Sequence, residues 1–206
     1  MRRREFRYLG LLLAAVLCPA APAPTAANVR YGPHDRNVLD FWQAPAPGPA
    51  PLAIYIHGGG FRSGSKERIS ARALERLLAG GISVAAINYR FVPQHPLPAA
   101  HHDARRALQF LRSRAREWNI DPSRIAAFGS SAGAQLAMYL AFHDDMARPA
   151  SPDPVERHST RLAAVATSGG QTTMDLEWWR RHIPGAAKFN RRLDTYFGAA
   201  TPAEIR

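Results

Sequence analysis

Two short runs of small residues in this 206-residue chain have the types and spacing that bond-breaking chemistry needs. The first is Gly129-Ser130-Ser131-Ala132-Gly133, a serine with glycine two positions away on either side. Small residues there let a strand turn sharply into a helix, which lifts the serine hydroxyl clear of the backbone as a nucleophile. Ile125-Ala126-Ala127-Phe128 before the turn reads as the strand, and Ala134, Leu136, Ala137 and Leu140 after it as the helix. An ordinary strand-to-helix turn with a capping serine leaves the same signature. Taken alone, the pentapeptide weighs equally for both.

His57-Gly58-Gly59-Gly60 breaks the tie. Four such residues in a row are expected by chance in only about one chain in a thousand at ordinary composition. The run follows an apolar stretch and precedes a helical pattern, and bare glycines there free backbone N–H groups to face an anion. A phosphate cradle is the competing use, but no Gly-Lys-Ser/Thr follows and the Gly-x-Gly-x-x-Gly spacing is absent. An oxyanion hole draws donors from the residue after the nucleophile and from an earlier loop. Ala132 fills the first role and Gly59 and Gly60 the second, with His57, Gly58, Gly129 and Gly133 in support.

Holding those two runs together requires a sheet. Strand patterns cover Asn37 to Trp42, Leu52 to His57, Ile82 to Ile87, Arg124 to Phe128 and Leu162 to Thr167. Helical periodicity covers Ser65 to Ala79, Ala99 to Trp118 and Ser131 to Phe142, and Ala44 to Pro51 is a loop. The alternation predicts an α/β chain: a mostly parallel sheet with helices on both faces.

On these motifs the chain resembles the hormone-sensitive-lipase-like group of α/β-hydrolases, and within it the bacterial acetyl-esterase/lipase type. The resemblance runs from about Val29 to the last residue. It rests on Tyr55-Ile56-His57-Gly58-Gly59-Gly60-Phe61, Asn88-Tyr89-Arg90, Trp118-Asn119-Ile120-Asp121-Pro122 and the Ser131 pentapeptide. It implies an α/β-hydrolase fold and a serine carboxylic-ester hydrolase that acts on short acyl esters through an acyl-enzyme, with no cofactor and no metal. It also implies that His57 positions the glycine loop and is not the base. Asn88 departs from the Asp-Tyr-Arg form of the wider group, which touches a supporting contact and not the nucleophile.

A serine nucleophile needs a base, and the base a carboxylate, in the order Ser, Asp or Glu, His after later strands. After Ser131 the histidines are His143, His158 and His182, and none follows such a strand. Asp175 is the one candidate acid; Asp144, Asp145 and Asp153 read as solvated. Thr201-Pro202-Ala203-Glu204 is a helix-start signature two residues before the last. The expectation is a partial domain over residues 28–206 that lacks the C-terminal strands and is inactive or weak. The alternative is a non-catalytic remnant or binding protein on the same fold.

Composition sets the setting. Arg2, Arg3 and Arg4 precede an apolar run from Tyr8 to Leu17 and small residues up to Ala27, the order of a secretory signal peptide over residues 1–27. Cleavage would fall after Ala23, Ala26 or Ala27, giving an exported, periplasmic or extracellular protein without a stable membrane anchor. Arg3-Arg4-Glu5-Phe6 resembles a twin-arginine signal, and Leu17 disfavours a lipid anchor at Cys18. Cys18 is the only cysteine, so the mature chain holds no disulfide or thiolate metal site. The net charge of +11 lies partly in that expected signal, and the rest is scattered singly rather than gathered in runs, which argues against nucleic acid as a partner. Trp178-Trp179-Arg180-Arg181 reads as local packing or a wall of the pocket for a small acyl ester.

Overall fold

The computed structural model describes residues 22–185 and 196–198. Among them one six-stranded sheet runs in the order β1-β2-β4-β3-β5-β6. Its strands are β1 (Ala26–Arg30), β2 (Val38–Trp42), β3 (Ala50–Ile56), β4 (Ser83–Ile87), β5 (Ile120–Ser130) and β6 (Ala164–Ser168). β4, β3, β5 and β6 are parallel, and β1 and β2 close one side antiparallel.

Every residue of β4 is buried, as a strand covered on both faces must be. Val84 and Ala86 join Trp42 and Leu74 on one face, under α1 (Ala71–Ala79). Ala85 and Ile87 join the larger core on the other, with α2 (Ala99–Ser113) and α3 (Ala132–Phe142). A short α4 (Leu176–His182) follows β6. The mostly parallel sheet with helices on both faces is the expected α/β class. No helix among the described residues is long and apolar enough to cross a membrane.

The boundaries differ from the periodic reading by more than two residues in three places, each for a local reason. Residues 65–79 are not one helix: a 3-10 turn at Lys66–Arg68 comes first, then Ser70 caps α1 by accepting from Ala73 N (3.4 Å). The break lets Lys66 turn inward, with its backbone N–H on Asn88 Oδ1 (2.7 Å). α2 stops at Ser113, not Trp118, although Ala115 stays buried and Trp118 stacks on Phe41 at 4.5 Å. Apolar spacing there reports contact with the core rather than helix. β5 starts at Ile120, where Asp121 gathers Ser123 and Arg124 and the register with β3 shifts.

β1 was not expected at all, being short and largely exposed. It is pinned to β2 by Asn28 N donating to Asp40 Oδ1 (2.7 Å) and Gln43 N to Thr25 Oγ1 (2.9 Å), while Trp42 Nε1 donates to Pro22 O (2.7 Å). Ala26 and Ala27 thus lie within the sheet, ahead of the expected boundary at residue 28. Asp145 and Asp153 are not merely solvated: Asp145 accepts from Thr160 N (2.8 Å), and Asp153 pairs with Arg106 (2.6 Å) and caps the turn at Pro154–Arg157. Asp144 is exposed, 3.5 Å from Arg161. Cys18, the arginines before it and Thr201 to Glu204 lie outside the described residues.

Candidate functional site

β3 and β5 are paired so that Ile56 lies opposite Gly129, which brings the ends of both strands out at one edge of the sheet. Ser131 sits in the gap between β5 and α3 at φ +53°, ψ −123°, a conformation that costs a non-glycine residue about 1–3 kcal/mol. Its N–H donates to Ser168 O of β6 (2.9 Å) and its carbonyl accepts from Gln135 N (3.0 Å). The chain leaving β3 crosses directly over the first turn of α3. A Cβ on Gly133 would stand 2.0 Å from Ile56 O and 2.7 Å from His57 O, so only glycine admits that crossing. Gly58 then lands against the serine turn: a Cβ there would be 2.8 Å from Ser130 O and 3.4 Å from Ser131 Cβ. The structure therefore brings together Gly58, Gly59 and Gly60 with Ser131, Ala132, Gly129 and Gly133.

The glycine loop is a closed turn. Gly59, at φ +124°, accepts from Arg62 N (3.0 Å) and Ser63 N (3.1 Å) through its carbonyl. The N–H groups of Gly59, Gly60 and Ala132 have no acceptor among the described residues. Bare donors on a loop seated against a half-buried serine turn are what stabilisation of a developing oxyanion requires.

His57 holds the loop from behind. It is fully buried, its Nδ1 lies 2.7 Å from Gly58 O, and its ring stacks on Tyr89 at 4.2 Å. Tyr89 returns its hydroxyl to His57 O (2.8 Å), and burial raises the Tyr89 pKa well above the ordinary phenol value. Burial also pulls the His57 pKa down to about 4, so the ring is neutral at pH 7. Nδ1–H then donates to Gly58 O, leaving Nε2 to face Arg36 Nη2 at 3.5 Å. Both nitrogens are engaged away from Ser131, consistent with a positioning role.

Arg36 is the contributor that sequence reasoning missed. It donates to Tyr89 O (2.6 Å) and Gly64 O (3.1 Å), and its guanidinium lies 3.6 Å over the Phe91 ring. It sits in the turn between β1 and β2, and nothing in the sequence sets it apart from the other arginines. Asn88 shows what its departure from Asp does. Its Oδ1 serves the backbone of Lys66, whose buried ammonium pairs with Asp40 (2.7 Å) and Glu67 (2.7 Å). Burial lowers the Lys66 pKa, but the two carboxylates outweigh it and the net shift is upward. A neutral amide thus accepts the N–H without adding another buried charge. Asp103 grips Arg90 through both oxygens (2.8–3.0 Å) and fixes the connection from β4 to α2.

No base reaches the serine. Among the described residues the Ser131 hydroxyl makes no hydrogen bond to a histidine or a carboxylate. His143 Nδ1 lies 3.0 Å from Tyr139 O, and His182 Nδ1 lies 2.8 Å from Trp178 O with its ring stacked on that indole. His158 presents its carbonyl to Gln109 Nε2 (2.8 Å). Asp175 caps α4 by accepting from Trp178 N (3.1 Å). Each candidate is held by local contacts.

Comparison with known proteins places the chain in a family. A family model described as BD-FAE matches residues 39–200. Esterase LipI of Mycobacterium tuberculosis is 33% identical over 103 residues, a match covering 49% of this chain and 32% of LipI. The acetyl ester-xyloside bifunctional hydrolase of Caldicellulosiruptor lactoaceticus superposes with a TM-score of 0.65 at 27% identity, over 82% of this chain and 58% of that one. Esterase 2 of Thermogutta terrifontis, in a form phosphonylated by sarin, superposes with a TM-score of 0.68 over 91% of this chain and 70% of its own, and at 23% identity it shows the shared fold. The chain thus spans about a third of LipI's length and under three quarters of either solved structure. It belongs to the BD-FAE family of α/β-hydrolase-fold proteins, among relatives named as esterases.

Proposed function

We propose that this chain carries the nucleophile and oxyanion hole of a carboxylic-ester hydrolase acting on short acyl esters. Ser131 Oγ attacks the acyl carbon, and Gly59, Gly60 and Ala132 hold the carbonyl oxygen as it becomes negative. The observation that carries the reading is the seating of the glycine loop on the serine turn, with the Gly59 and Gly60 N–H groups unpaired among the described residues. The alcohol leaves, the acyl group stays on Ser131, and water completes the turnover; no cofactor enters.

The second reading, a non-catalytic remnant, draws on the lack of any base within reach of Ser131 among the described residues. Loss of triad members leaves only the residual catalysis of oxyanion hole and binding, several powers of ten below a complete site. The first reading therefore expects slow, Ser131-dependent labelling by a fluorophosphonate probe and weak hydrolysis of a short-chain nitrophenyl ester. No labelling at Ser131 favours the remnant. Turnover at ordinary esterase rates refutes the expectation of weakness.

We also propose that the chain is exported behind an N-terminal leader. Of the three cleavage positions, only the one after Ala23 leaves β1 whole. The N-terminal residue of the secreted chain, read by Edman degradation, tests it; a start at Asn28 would mean that β1 forms without Ala26 and Ala27.

A further inference from the structure

The described residues include an isolated segment, Tyr196 to Gly198, that returns to the site after β6 and α4. It is strapped to the connection between β4 and α2: Leu97 N donates to Tyr196 O (2.8 Å), and Gly198 packs against Pro96. Tyr196 and Phe197 rest on the main core. That placement sets the phenolic oxygen of Tyr196 3.7 Å from the point where a Cβ of Gly60 would stand, and apart from Gly60's chain neighbours no other atom of the described residues comes within 4 Å of that point.

The hydroxyl makes no hydrogen bond among the described residues. Its oxygen is a fair acceptor and Gly60 N–H a bare donor, yet the two do not pair. At Gly60 two donors lie close with no acceptor for either among the described residues, its own N–H and the phenolic O–H, and the N–H groups of Gly59 and Ala132 are likewise bare. Such a set is satisfied by an oxygen bearing partial or full negative charge, brought in from outside.

We propose that Tyr196 is a further catalytic residue, donating its O–H to the same acyl oxygen that Gly59, Gly60 and Ala132 hold. The inference rests on the esterase reading above. It assigns to a residue outside both glycine motifs a share of the charge stabilisation during acylation.

Tyr196→Phe removes the donor and keeps the ring that packs on the core. With a fluorophosphonate probe, the Ser131 Oγ–P bond forms, the P–F bond breaks, and fluoride and the serine proton leave. The phosphoryl oxygen takes the oxyanion's place. Removing one oxyanion donor costs about 10²–10³ in rate where few donors share the load. With three others present, Y196F is expected to label about tenfold more slowly than the parent, with an unchanged thermal unfolding midpoint. Equal labelling rates would overturn this inference alone. A slower rate that tracks a lowered unfolding midpoint would also overturn it, since packing would then account for the loss. A parent chain that is never labelled at Ser131 would overturn the esterase reading and this inference together.

Discussion

The two flanks of the sheet are built to different standards. Around β3 and β4, each polar group that enters the interior meets a partner: His57 has Gly58 and Arg36, Lys66 has Asp40, and Asn88 Oδ1 has the Lys66 N–H. Around β6, Ala164 and Ala166 are exposed, and the side-chain oxygens of Gln135 and Gln171 are buried with no partner among the described residues. The first flank holds the bare N–H groups of Gly59 and Gly60; on the second, no base reaches Ser131 among the described residues. Oxyanion binding can be assembled from neighbouring strands and two tight turns, because backbone N–H groups are positioned by the backbone itself. A base and its carboxylate must arrive on side chains from elsewhere in the fold. A chain can therefore carry one half of the chemistry in finished form without the other.

The strongest way to break the finished flank is Gly133→Ala. The added carbon meets two backbone carbonyls, neither able to rotate away, so β3 and α3 must separate. A loss of about 4 kcal/mol or more is expected, above the usual cost of overpacking of about 1–3 kcal/mol because the clash is with backbone. Urea unfolding measures it, and a loss under about 1 kcal/mol would mean that the crossing is looser than described.

Lys66→Met comes next. Lys66 and Asp40 side chains are 4% and 9% exposed, so removing the ammonium strands a buried carboxylate. Breaking such a pair costs about 3–5 kcal/mol, and Asn28 N, still donating to Asp40, points to the lower end. The double variant Lys66→Met/Asp40→Leu should recover most of that loss, because no buried charge is then left unpaired and the exposed Glu67 is solvated. If the double variant is as unstable as the single one, the pair does more than neutralise itself.

The same contrast explains what was legible in advance. β3, β4, the glycine loop and the serine turn were readable because each is local: an apolar run, then glycines where the backbone must bend. Arg36 was not, because its role exists only once β1 and β2 bring their turn under His57. The helix over residues 65–79 was misread at Lys66, a residue whose type argues for solvent and whose partner Asp40 lies 26 positions away. Trp118 and Ala115 kept helical spacing outside α2 because the core, not the helix, selected them. β1 offered no pattern, and its hydrogen bonds to β2 are what make it a strand. Asp145 and Asp153 looked like solvated carboxylates until their loop closed on Thr160 and Arg106.

A milder test uses the two buried histidines. Burial holds His57 and His101 each at a pKa of about 4, below the ordinary value of 6.5. Between those values the unfolded chain binds protons that the folded chain refuses, so stability is full above pH 6.5 and falls as the pH drops toward 4. Each contributes on the order of 3 kcal/mol over that window. His101, between Phe61 and Tyr139, carries a buried Nδ1 without a partner, unlike His57. His101→Leu should therefore roughly halve the pH dependence and add about 1 kcal/mol at pH 7. Urea midpoints at pH 7 and pH 5 read both effects, and an unchanged slope would place the pH sensitivity elsewhere.

The smallest effect on stability belongs to the open flank. Leu77 of α1 and Ala126, Phe128, Ala164 and Ala166 of the sheet line an apolar groove of about 800 Å³, rimmed by Arg72, Arg76 and Arg124. An exposed apolar sheet face beside an uncovered strand invites pairing between copies of the chain. Ala164→Lys with Ala166→Lys places two like charges on that face, against rim arginines that repel a second cation. The urea midpoint should move by less than about 0.5 kcal/mol, since neither alanine is buried. Sedimentation velocity should show the parent associating with concentration and the double-lysine variant doing so less, more strongly at low salt, where the added charges are least screened. Equal association of the two chains would show that the β6 flank, for all its exposed alanines, is not where copies meet.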